Sequence, residues 1–133
     1  MRTSWAQRVS AIWFGVVLAG NFVAPTAKFQ APSLDLAVAL EVGRITFRWM
    51  LVLEIALAIL LVIYSKNRTA WIPVAILAVE WILVMPALDA RTQARIQGLA
   101  VGSSQLHLVF IVLEFLKIAA LFWFVCRSER IND

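Results

Sequence analysis

The stretch LHLVFIVLEFLKIAALFWFVC, from Leu106 to Cys126, decides the fold class. At about 1.5 Å of rise per residue, it is long enough as a helix to cross a hydrocarbon core roughly 30 Å thick. Its only charged residues are Glu114 and Lys117. Charges at such a depth cost roughly 2.5–3.5 kcal/mol each on insertion scales, so their presence needs a reason. His107, Phe110, Glu114, Lys117, Leu121 and Phe124 follow an alternating three–four spacing, which places them on one stripe facing other helices. Glu114 and Lys117 are close enough in sequence for an intrahelical ion pair.

Three more apolar stretches lie upstream, and each carries one strongly polar residue at a matching depth. Asn21 lies 13 positions from Arg8, Glu54 lies 12 from Lys66, Glu80 lies 12 from Arg68, and Glu114 lies 13 from Arg127. Those spacings put one amide and three carboxyls roughly 18–20 Å from the basic inner boundary. The expected fold is all-α: a four-transmembrane-helix bundle of up-down topology in a single integral membrane domain, residues 1–133. The expected spans are about 9–27, 48–66, 69–88 and 106–126. A short interfacial helix is expected at about 33–44, capped by Ser33, with Asp35 in its first turn and a kink near Gly43. Ala11, Gly15 and Ala19 form a small-residue row that lets a neighbouring helix approach closely. Lys66-Asn67-Arg68 alone joins spans two and three, which makes a tight antiparallel hairpin. The connection after Leu88 is expected to extend span three at first and then to turn through Gly98 and Gly102.

Composition agrees with the bilayer. The 133 residues are 62% hydrophobic and 15% charged, with a mean hydropathy of +0.86, well to the apolar side of soluble domains. The net charge of +4 is spread singly or in pairs at span ends, which excludes a phosphate-binding run and with it a nucleic-acid partner. Trp5, Trp49, Trp71 and Trp123 lie near span ends, where interfacial tryptophans collect. The amino-terminal apolar run is long for a signal peptide and lacks a clean small-x-small cleavage site, so it reads as a retained first span. One cysteine, Cys126, excludes an internal disulfide and a CxxC motif. At the end of span four it is a candidate for acylation or, more simply, a small hydrophobe.

The polar layer admits several chemistries. Lys117 can neutralise Glu114 for packing alone, or Glu114 can titrate along a proton or cation path with His107 as its outer relay. One lysine cannot neutralise three carboxylates, and Arg48 would have to reach inward along its own helix to help, so at least one carboxyl is expected to be protonated. A shared hard cation suits three carboxylates and an amide by ligand type. His107 alone gives no transition-metal spacing, though it could ligate one haem- or chlorophyll-type ring. No phosphate loop, nucleophile elbow or catalytic triad order is present. The candidate site is therefore the intramembrane layer of Asn21, Glu54, Glu80, Glu114, Lys117 and His107, with no catalytic residue, cofactor or metal expected.

The segment PALDARTQAR from Pro86, followed by QLHLVFIVLEFLK from Gln105, resembles small uncharacterised bacterial four-helix membrane proteins. These are distantly similar to the transmembrane protein 205 type, in which a fourth span of the form His–x6–Glu–x2–Lys also occurs. The resemblance implies a four-span bundle and matches His107, Glu114 and Lys117, and it brings no activity.

The function expected from these residues is a non-enzymatic subunit or accessory protein of a larger bacterial inner-membrane complex, its buried polar layer holding the bundle. Its partners would be the lipid bilayer and other membrane subunits or a second copy. The alternative is a small proton- or cation-coupled transporter or channel working through the carboxylates. An outer cavity reaching the layer would favour transport, and a sealed, fully paired layer the structural role. Orientation follows the basic flanks: six Lys/Arg (Arg2, Arg8, Lys66, Arg68, Arg127, Arg130) lie on the side of the termini and five (Lys28, Arg44, Arg48, Arg91, Arg95) on the other. Reporter fusions after Asn67 and at Asp133 should both read cytoplasmic. An external reading at both positions reverses the orientation.

Overall fold

Two prolines explain where the helices depart from α geometry. The computed structural model describes residues 4–129, and every regular element in it is helical. Helix α1 (Trp5–Phe29) changes to a π turn at Leu18–Val23, just before Pro25. Helix α3 (Arg68–Ile96) does the same at Glu80–Val84, just before Pro86. A proline inside a helix has no N–H to donate and crowds the carbonyl four residues back, and a wider turn relieves both problems. Both π turns hold a residue of the polar layer, Asn21 in one and Glu80 in the other.

Helix α2 (Leu36–Tyr64) and helix α4 (Leu106–Glu129) run without such a break. All four helices are long and apolar enough to cross a membrane. In α2 the residues expected to form a separate interfacial helix are its first turns. Nothing between Leu36 and Arg48 stops the helix: Gly43 costs only about 1 kcal/mol relative to alanine, and its missing Cβ leaves the notch in which the Lys28 ammonium sits. The N-cap position falls to Asp35 rather than Ser33, without a side-chain capping bond. At 29 residues α2 is about 43 Å long, more than the hydrocarbon core needs.

The ends are closed by local chemistry. Ser4 and Gln7 form a capping box at the start of α1, and Gln7 also donates to the Val125 carbonyl of α4. Asn67 accepts from the Thr69 amide and starts α3 directly after the short link. At the other end of α3, Gly98 adopts φ +74°, and Gly98 and Leu99 donate to Arg95 and Ala94. That is a Schellman stop, which needs a residue free to enter the left-handed region.

Packing is unequal along the bundle. The half nearer the termini is filled by Trp13, Val17, Leu57, Leu61, Leu77, Leu121 and Phe124, all buried. The row of Ala11, Gly15 and Ala19 is exposed on the outside of α1, and a Cβ added at Gly15 would meet nothing within 4 Å. The close approach to α2 is made instead at Gly20, where a Cβ would run into the Met50 side chain. Arg2 and Arg130, used above for orientation, lie outside the described residues, as does the side chain of Arg127. Gly20→Leu should therefore lower the thermal midpoint in detergent by an overpacking cost of about 1–3 kcal/mol. Adding Met50→Ala should regain most of it. A neutral Gly20→Leu would show that α1 and α2 do not meet there.

Candidate functional site

Lys117 is the point at which the helices meet. An ammonium offers three N–H donors, and here each faces a carboxylate from a different residue. Its Nζ lies 2.6 Å from Glu54 of α2, 2.6 Å from Glu80 of α3 and 3.0 Å from Glu114 of its own helix. The first helix joins through Glu54, which accepts from the Trp13 indole at 2.9 Å and from the Asn21 amide at 3.4 Å. All four charged residues are exposed by 2% or less. The intrahelical Glu114–Lys117 pair is thus present, but it is the longest of three.

Hydrogen-bond accounting separates the carboxyls. Both oxygens of Glu54 have donor partners: a lysine, an indole and an amide. Glu80 Oε1, Glu114 Oε2 and Asn21 Oδ1 are buried without a hydrogen-bond partner among the described residues. A layer with one lysine and three glutamates is electrically neutral only if it holds two protons. Glu54 has a donor at each oxygen, whereas Glu80 and Glu114 each leave one oxygen without a partner among the described residues. A void of about 10 Å³, close to the room one water needs, adjoins Asn21, Glu54, Glu80 and Glu114.

Above this layer, at the end of the bundle away from the 65–67 link, lies a cavity of about 510 Å³. It shares Asn21, Phe47, Met85 and Phe110 with the small void, so these four side chains lie between cavity and layer. Phe47 and Phe110 meet edge to face at 5.6 Å. The cavity wall carries Lys28, Arg44, Arg91 and Arg95 against one carboxylate, Asp89. Asp89 is already held by Arg44 at 3.1 Å and Arg48 at 3.0 Å.

His107 is exposed and lines this cavity; it does not join Glu114 and Lys117 in the layer. It begins α4, where the stripe has already left the packed part of the bundle. Arg48 does not reach inward either, since Asp89 draws it the other way. Two features escaped the sequence reading. Trp13 is fully buried in the layer's wall, and its spacing of four from Val17 and eight from Asn21 was the available signal. The clustering of Lys28 with Arg91 and Arg95 needed the fold, because the lysine lies on α1 and the two arginines on α3. Compared with known proteins, the chain matches no family model, no curated protein and no solved structure.

The arrangement changes what a pair deletion should do. Lys117 lies closer to Glu54 than to Glu114, and Glu54 has a donor at each oxygen, so Glu54 is the carboxylate expected to depend most on the lysine. Lys117→Met should cost about 3–5 kcal/mol, as for a broken buried pair. Glu54→Gln with Lys117→Met should recover more than half of the loss in detergent thermal stability, and Glu114→Gln with Lys117→Met clearly less. The reverse order would move the charge to Glu114.

Proposed function

We propose that this chain is a small proton-coupled carrier of the bacterial inner membrane, working through its buried carboxyls. The observation that carries the reading is the cavity whose floor, at Asn21 and Phe110, is also the roof of the carboxyl layer. Two carboxyl oxygens beneath that floor have no hydrogen-bond partner among the described residues. Intramembrane ionisable groups that face a bundle interior or a cavity mark ion pathways and proton relays. In this reading the four helices cross the bilayer in up-down order with both termini cytoplasmic. The cavity then opens to the outside, and the packed half around Trp13, Leu61 and Leu121 forms the closed inner side. No covalent chemistry is involved, and the protein is read as non-enzymatic.

Glu80 and Glu114 hold the exchangeable protons. Glu54 and Lys117 supply the fixed ion pair that keeps the layer together. A glutamine at position 80 keeps the shape and removes the proton site. In proteoliposomes loaded with a pH-sensitive dye, proton uptake under an imposed gradient should exceed that of protein-free vesicles. Glu80→Gln should lose most of this flux while keeping its thermal midpoint. Flux no greater than in empty vesicles, in both gradient directions, would end the carrier reading.

The role of accessory subunit in a larger complex keeps one observation in its favour. The Ala11, Gly15 and Ala19 row faces away from the chain's own helices, where a helix of another subunit could lie close. Purification in mild detergent separates the two readings. A stoichiometric partner that dissociates on Gly15→Leu supports the subunit, and a chain that leaves the membrane alone supports the carrier.

A further inference from the structure

The cavity's charge is opposite to what a cation pathway needs. Lys28, Arg91 and Arg95 line it and form no ion pair among the described residues, while its single carboxylate, Asp89, is claimed by two arginines. Arg91 and Arg95 are four apart on α3 and so share a face. Arg91 donates to the Gly102 carbonyl, which fixes its guanidinium at the rim without neutralising it. Lys28 is half-buried, 4.7 Å from the Phe29 ring centre, with its ammonium in the notch left by Gly43. Like charges gathered in a concave, low-dielectric space repel one another and attract an anion strongly. Between these cations and the floor the wall is apolar and aromatic, with Phe22, Phe47 and Phe110. A volume of about 510 Å³ falls within the range of small-molecule sites.

We propose that this cavity binds an organic anion with a phosphate or carboxylate head and an apolar body. The head lies on Lys28, Arg91 and Arg95, and the body lies along the phenylalanines toward Asn21. The inference rests on the carrier reading only for what the bound anion does next; the site itself stands on the cavity. The head could belong to a membrane lipid or to a free amphiphile, and the chemistry of recognition is the same.

The probe is octyl phosphate, added to the full chain in phosphatidylcholine nanodiscs and measured by calorimetry. Binding should be saturable. Octyltrimethylammonium, octanol and inorganic phosphate, which lack the charge, the head or the body, should bind far more weakly. Arg91→Gln with Arg95→Gln should weaken octyl phosphate by about tenfold or more, as expected for losing two charge-assisted contacts. Gly43→Ala should weaken it several-fold, because a methyl group displaces only the flexible end of Lys28 and leaves the fold intact. Lys66→Gln with Arg68→Gln, the same charge change at the opposite end, should leave it unaltered. Equal weakening by that control, or none from the Arg91 and Arg95 pair, overturns the site. Competition by phosphatidylglycerol added to the nanodisc assigns the head to a lipid, and saturable binding without competition assigns it to a free anion. Octyl phosphate binding without proton flux would keep the site and remove the carrier. Proton flux without anion binding would do the opposite.

Discussion

One ammonium shared among three carboxylates sets the geometry of the bundle. In lipid no hydrophobic force draws one apolar helix to another, so packing and interhelical polar contacts must do so. Lys117 supplies three such contacts, and Glu54 passes the connection to α1 through Trp13 and Asn21. Moving an ion out of water costs several kcal/mol even after relaxation. That cost is recovered only because all three N–H groups find acceptors. Any shift of one helix along its axis by a single residue would separate an oxygen from Nζ by about 1.5 Å, so the layer fixes the register of all four helices.

The two halves of the bundle then differ for a physical reason. Toward the termini the walls are apolar, and Trp13, Leu61 and Leu121 close completely against one another. Toward the other end, α1 brings Lys28 and α3 brings Arg91 and Arg95 to the cavity wall, and cations without counter-charges hold helices apart. Asp89 compensates locally, tying α3 to Arg44 and Arg48 of α2. The prolines contribute as well. Each π turn holds a layer residue, Asn21 or Glu80, and so lies where close packing gives way to open space.

Much of this could be read in the sequence, because burial of charge is so strongly constrained in a membrane. Four apolar stretches, each with one polar residue at equal depth, lead directly to a four-helix membrane chain with Asn21, Glu54, Glu80 and Glu114 near one level. Spacing rules were less informative about partners. They paired Glu114 with Lys117, since the two are neighbours on one helix, and could not rank Glu54 and Glu80 on other helices above it. The start of α2 also escaped. Charged residues mark where lipid ends but do not stop a helix, so α2 begins at Leu36 well before Arg48, whereas the run of α3 past Asp89 to Ile96 is the extension expected after Leu88. The cavity was invisible for a different reason: it is a property of the space between helices, and its cations come from three of them.

If the cavity takes an anion and the layer takes protons, as proposed, electrostatics couples the two even without contact. The cations above favour negative charge in the layer below, and the layer reaches its neutral state by taking protons. An anion in the cavity cancels that field and repels carboxylate charge, so its arrival favours proton occupancy of Glu80 and Glu114. Linkage makes this mutual: a protonated layer must favour the anion by the same factor. A unit charge acting over ~10 Å at an effective dielectric of ~20 contributes about 1.7 kcal/mol, which is more than tenfold in binding. In the proposed carrier, carboxyls lying beneath Asn21, Phe47, Met85 and Phe110 would link anion binding above to proton binding below.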